Sequence, residues 1–244
     1  MNLRVLLSAL LVLPALANAE NVYDAQFQQI KSVELVEVLV DENGEEIEMA
    51  IHEKKAPQFK DQFNQSSVNQ KGIGEYILIT KELIALGKEI YKIIEAGKPV
   101  VQMNVEPIDI LPRAAGGEAI SAMQLHGWRA PKAKTYRMYV KNYMGVKTAS
   151  MDVMLIFSYG GQNNGSGRFI TGAMIKPVKV DVKWGYTLNA NFKLDSIMNQ
   201  GTVDNPVAGG LLTLDYSINT VLQSTNDSYT FFINGMGKVI KYSK

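Results

Sequence analysis

The seventeen residues "VKVDVKWGYTLNANFKL", Val178 to Leu194, alternate in polarity with hardly a break. Val178, Val180, Val182, Trp184, Tyr186, Leu188, Ala190, Phe192 and Leu194 fall on one side, and charged or polar residues on the other. Period two marks a β-strand with one buried face. At about 3.3 Å per residue the run would extend about 56 Å. A lipid-spanning strand needs only about 9 to 11 residues, so the stretch does not match one bilayer crossing. Gly185 faces away from the apolar side, where a missing side chain permits a bend. The run is therefore expected to turn there and feed two sheets or coil around one core.

The same patterning holds from Pro99 to the end of the chain, with turn residues at Gly145, Asn163-Asn164-Gly165, Asn205-Pro206, Asn226-Asp227 and Asn234-Gly235. Seven or more strands joined by hairpins imply an antiparallel β-sandwich over residues 99–244. A membrane barrel fits less well. Its aromatic residues would gather in two girdles, whereas Tyr and Phe are spread along these strands, and the chain ends "VIKYSK". No cysteine occurs, so the fold holds by burial without disulfides.

Ahead of the sandwich, three further segments are expected. Arg4 followed by "VLLSALLVLPALA" and then Ala17-Asn18-Ala19 reads as a signal peptide over residues 1–19, cut after Ala19. The apolar run is too short for a spanning helix. Export implies a secreted or periplasmic protein, and a cysteine-free exported chain leans toward a bacterial source. Residues 20–76 read as an acidic hairpin, turning at Asn43-Gly44, and a polar Gln/Asn-rich linker. Residues 77–98 read as an amphipathic helix: Thr80 as cap, Leu83, Leu86, Ile90, Ile93 and Ile94 as the apolar stripe, Gly97 and Pro99 as the stop.

Charge is unevenly divided. Residues 20–53 hold ten acids and one base, a net of −9, and residues from Lys54 onward hold 23 bases and 14 acids, a net of +9. The front is either a solvated acidic hairpin or an arm that docks on the basic body of the same chain.

Groups that carry chemistry are sparse. Zinc spacing is missing, since the histidines are His52 and His126 alone, and "DENGEE" lacks the ligand spacing of a calcium loop. The chain has no Gly-x-Ser-x-Gly elbow and no motif that pairs two carboxylates. No metal or cofactor is therefore expected, and no catalytic residue is assigned. Binding candidates fall in three places. Arg137, Tyr139, Lys141 and Tyr143 share one face of a strand, a basic and aromatic surface able to grip a glycan, an anionic lipid or a cell-surface protein. "GGQNNGSG" (160–167) is a hairpin tip offering Asn163 and Asn164, with Arg168 just after it. His126, with Trp128 and Arg129 in "LHGWRAP", could line a polar ligand site. Export argues against nucleic acid as the partner.

The layout of "TKELIALGKEIYKIIEAGKPVV" (80–101), a helix leading into a cysteine-free sandwich, resembles that of the actinoporin-like pore formers. The resemblance implies a helix that leaves the sandwich and enters a membrane; it rests on layout and transfers no residue role. Three functions are thus in play. The first is an exported, non-enzymatic β-sandwich that binds a surface or ligand. The second is a pore former with the acidic arm as a pro-segment, and the third is a secreted hydrolase whose site has no recognisable motif.

Overall fold

The computed structural model describes residues 25–51, 54–55, 67–72, 75–88, 90–95 and 107–243. The expected signal peptide at 1–19 lies outside them, as does most of the polar linker. Among the described residues the chain is mainly β, in two sheets. The larger contains β1 (Ile30–Val40), β2 (Glu46–Ala50), β4 (Ser67–Gly72), β5 (Glu75–Ile79), β6 (Leu83–Lys88), β8 (Ile108–Pro112), β9 (Lys132–Asn142), β10 (Lys147–Asn163) and β11 (Ser166–Val182). The smaller contains β3 (Lys54–Lys55), β7 (Ile90–Glu95), β12 (Thr187–Asn199), β13 (Ala208–Asn219), β14 (Ser224–Asn234) and β15 (Val239–Ser243). Their orders are β2-β1-β9-β10-β11-β8-β6-β5-β4 and β3-β15-β14-β13-β12-β7. Every pairing is antiparallel except the two-residue contact of β15 with β3. This is the expected antiparallel sandwich.

The core lies between the sheets. Along β9, Tyr136, Met138 and Val140 are buried inward, while Arg137 and Lys141 point out. Along β12, Leu188, Ala190, Phe192 and Leu194 do the same. The layers interlock through pairs such as Tyr136 and Phe231, whose ring centroids are 4.9 Å apart. Each large apolar side chain buried this way contributes about 1.5–3 kcal/mol.

The opening stretch divides as its glycine suggests. β11 ends at Val182 in the larger sheet and β12 starts at Thr187 in the smaller. Gly185 turns the chain with φ +84°, a conformation that L side chains rarely adopt. A Cβ there would lie 2.5 Å from Gln28 Nε2, so the turn also admits the Gln28 side chain. The alternation does not carry through to burial at this end, because Val178 and Trp184 are exposed.

Among the described residues of 77–98 the expected helix is replaced by strands, and with it goes the layout likened to the pore formers. β5 and β6 form a hairpin in the larger sheet, while β7 pairs with β12 in the smaller. The reason is local. Thr80 Oγ1 accepts from the Leu83 amide at 3.0 Å, and the Thr80 amide bonds the Leu83 carbonyl at 2.8 Å. A threonine hydroxyl bonding an amide three residues on is shared by helix caps and tight turns. The sequence around it is rich in isoleucine, which favours strands. Leu83, Ile84 and Ala85 are buried in succession, as in a strand covered on both faces. The one described α-helical segment is the turn at residues 25–28.

Candidate functional site

The acidic hairpin lies along the basic strand. β1 pairs with β9, placing Glu34 opposite Tyr139 and Val36 opposite Arg137. Arg137 then reaches three carboxylates: Asp152 at 2.6 Å, Glu46 at 2.7 Å and Glu48 at 3.1 Å. Tyr139 donates its hydroxyl proton to Glu48. Lys141 pairs with Glu34 at 2.8 Å, and Lys147 sits 3.4 Å from the centre of the Tyr139 ring. The hydrogen bond from Lys141 holds Glu34 below the usual carboxylate range, and the one from Tyr139 does the same for Glu48. Arg137, Tyr139 and Lys141 are therefore committed within the chain. Tyr143, on the same strand face by sequence, lies past the end of β9 and is exposed at one pole of the sandwich.

The remaining candidates gather at the opposite pole, where β10 ends and β11 begins. Asn164 and Gly165 form the two-residue turn with positive φ at both positions, as a hairpin of this length favours. The tip is held: Gly167 N–H donates to Asn205 Oδ1 at 2.7 Å, and Ser166 Oγ bonds the Asp204 carbonyl. Asn163 and Asn164 are thus turn residues. The register of β10 against β11 shifts twice between Tyr159 and Asn163. Such bulges re-aim side chains. Beside them the loop after Leu125 is zipped onto β10: His126 and Gln162 exchange backbone bonds at 3.0 and 2.8 Å, and the Arg129 amide bonds the Tyr159 carbonyl at 2.8 Å.

The result is a recess of about 430 Å³ lined by Gly127, Trp128, Arg129, Tyr159, Gly160, Gln162, Arg168, Gly235 and Met236. Three of the sequence candidates, Trp128, Arg129 and Arg168, are in its wall; His126 is anchored next to it but does not line it. Trp128 lies over Gly161, where a Cβ would come within 2.5 Å of the indole, and its Nε1 donates to the Ala122 carbonyl at 3.2 Å. Gln162, its amide oxygen turned to Arg168, accepts from Nη1 and Nη2, and Arg168 Nη1 also donates to the Gly167 carbonyl at 2.6 Å. That leaves both guanidinium groups without a carboxylate partner among the described residues, and no carboxylate lines the recess.

Arg129 is carried into the recess beside Trp128, its neighbour in "LHGWRAP". Gly235 and Met236 come from a turn over a hundred residues away, a juxtaposition for which the sequence carries no local signal. The charged groups in the recess are the two guanidiniums, which suit an anion rather than a cation. Among the described residues no group of three or more His, Asp or Glu is placed to hold a metal ion, and no helix is long and apolar enough to cross a membrane.

Three strand aspartates lie away from the recess. Asp152 is bound to Arg137. Asp195 and Asp215 meet on Lys193, at 3.5 and 3.0 Å, on the outer side of the smaller sheet. Burial raises the Asp195 carboxyl above the ordinary range, opposed by its bond from Thr213. No protein family, characterised protein or solved structure matches the chain.

Proposed function

We propose that the protein is an exported, non-enzymatic β-sandwich that binds an anionic glycan in the recess between Arg129 and Arg168. One observation carries this reading: two guanidinium groups, unpaired with any described carboxylate, converge with Trp128 and Tyr159 in a single concavity. Guanidinium forks match carboxylate and sulfate oxygens in pairs. An indole and a phenol ring supply flat surfaces for the apolar face of a sugar, with little side-chain entropy to lose. The volume is that of a small-molecule site. Export rests on the residues 1–19 reading. The non-enzymatic character is supported by the engagement of Asp152, Asp195 and Asp215 in ion pairs away from the recess.

Titration calorimetry against uronate-bearing, sulfated and neutral oligosaccharides tests the proposal. Binding of the acidic members, weakened about tenfold or more by Arg129→Ala or Arg168→Ala, is expected. Equal binding of neutral sugars, or no binding of any acidic glycan, overturns it.

A further inference from the structure

The pole opposite the recess is built differently. Three turns meet there: the hairpin turns at residues 143–146 between β9 and β10 and 220–223 between β13 and β14, and the crossover at 183–186 from β11 to β12. They come from both sheets and are tied to one hub, the helical turn at 25–28 and the residues just after it. Asn142 Nδ2 donates to the Phe27 carbonyl at 3.3 Å, and the Tyr143 amide to the Gln29 carbonyl at 3.3 Å. Tyr186 donates its hydroxyl to the same Phe27 carbonyl, and Phe27 packs edge-on against the Tyr186 ring. Thr220 Oγ1 donates to the Gln28 carbonyl at 2.8 Å, and Gln223 Oε1 accepts from the Ile30 amide at 2.7 Å.

These fixed turns present apolar side chains to the outside. Trp184 is 84% exposed, Val221 83%, Tyr143 58% and Leu222 57%. Four such residues on three adjoining turns form a cluster, whereas singly scattered apolar residues would need no explanation. The turns contain no carboxylate; Lys183 lies within one of them, and exposed Lys31 and Lys147 flank the set. Asp181, two residues before Lys183, is the nearest acid along that crossover.

We infer that this pole docks on the surface of an anionic lipid bilayer, with Trp184, Val221 and Leu222 entering the headgroup region. Tryptophan is an interfacial residue, apolar in body and polar at one edge. Lysines beside it meet acidic headgroups, each adding about 1 kcal/mol near such a surface. Composition favours lipid over a protein partner: an exposed tryptophan and lysines, with no carboxylate in the turns, are what an anionic interface takes up. The apolar run Val5–Ala17 is separated from Ala25 by seven residues. In the sequence, the described residue next after that run is Ala25, at this pole. β10 runs from Lys147 at this pole to Asn163 at the other, so docking here turns the recess outward. The inference stands independently of what the recess binds.

The test uses protein recovered from the cells that make it, mixed with vesicles of phosphatidylcholine alone or of phosphatidylcholine with phosphatidylglycerol. The expected result is co-sedimentation with the anionic vesicles, weakened by added salt, with a blue shift of tryptophan emission that Trp184→Phe removes. Val221→Ser/Leu222→Ser should weaken the partitioning about tenfold or more, and Lys183→Glu should weaken it without touching an apolar contact. The changes are at exposed turn positions, and an unchanged thermal unfolding curve checks that the fold survives them. No sedimentation with either vesicle overturns the inference, as does equal binding by the wild type and the Val221→Ser/Leu222→Ser form. A dimer that the same substitutions dissolve, without vesicle binding, also overturns it and assigns the turns to self-association.

Discussion

Arg137 and Asp152 stand opposite each other on β9 and β10, and their side chains meet side by side: Nε on Oδ1 and Nη2 on Oδ2, both at 2.6 Å. Both are largely removed from solvent, with 12% and 9% of their side chains exposed. Removing one partner leaves a charge stranded, which costs about 3–5 kcal/mol for a buried pair. Glu46 and Glu48 still face Arg137 and offset part of that. Asp152→Asn is expected to cost about 3 kcal/mol, near the lower end of that range. For a chain of this size that is a fall in Tm of roughly 6–12 °C. Arg137→Met with Asp152→Leu should recover most of the loss, because well-packed apolar groups replace such pairs at little cost. Calorimetry on the single and double variants checks this; a double variant no better than the single defeats the argument.

Acid should loosen the hairpin. Glu34 and Glu48 are held below their ordinary value of 4.5, by bonds from Lys141 and Tyr139 respectively. A depressed folded-state pKa means that the unfolded chain binds protons first as the pH falls. The stabilisation is therefore complete above 4.5 and fades as pH drops through the lower folded-state values. Asp195, raised by burial, runs the other way and is relieved by protonation. Urea unfolding from neutral pH down past 4 should show a decline whose slope is reduced in Glu48→Gln. An identical slope in the two proteins would remove Glu48 from the account.

Two glycines at the recess differ in what an added methyl group would strike. At Gly161 a Cβ meets the Trp128 ring, and at Gly235 it meets the backbone carbonyl of Arg168, 2.0 Å away. A side chain can swing aside, but the backbone of a paired strand cannot. Gly161→Ala should cost about 1–3 kcal/mol, the usual penalty for overpacking, and displace the indole from the recess. Gly235→Ala should cost more and lower the yield of folded protein. Comparing unfolding curves and Trp128 emission in the two variants checks the order, and a milder Gly235→Ala would reverse it.

The sheet pattern was legible in the sequence where one face is buried and the other wet. Leu188, Ala190, Phe192 and Leu194 follow the alternation into the core. It misled at Trp184, since beyond the last strand pairing parity no longer determines burial. The stretch after Thr80 was misread because its hydroxyl-to-amide bond is the same in a cap and in a hairpin. Leu83, Leu86 and Ile90 also satisfy helical spacing, and the unbroken apolar run Leu83–Leu86, which a strand covered on both faces also shows, is shared by the two readings. Of the recess, Trp128, Arg129 and Arg168 could be named as polar-site residues, but their meeting depends on bulges in β10 and on a turn from the other sheet. Those are long-range geometry, invisible to local pattern.

Thr220 is where the hub should come apart first. Its Oγ1 donates to the Gln28 carbonyl and accepts from the amides of Gln223 at 2.9 Å and Leu222 at 3.2 Å. Valine keeps the shape and deletes all three bonds, each worth about 0.5–1.5 kcal/mol net. None of them joins the core strands, so the cost should appear as local opening rather than global unfolding. Hydrogen exchange is the measurement that separates the two. In Thr220→Val the Ile30 amide, which donates to Gln223, should exchange about tenfold faster or more, while the Leu155 amide in β10 should keep its wild-type rate. Acceleration shared equally by both amides would show that the hub and the core open together, and that the turns at this pole are not an independent unit.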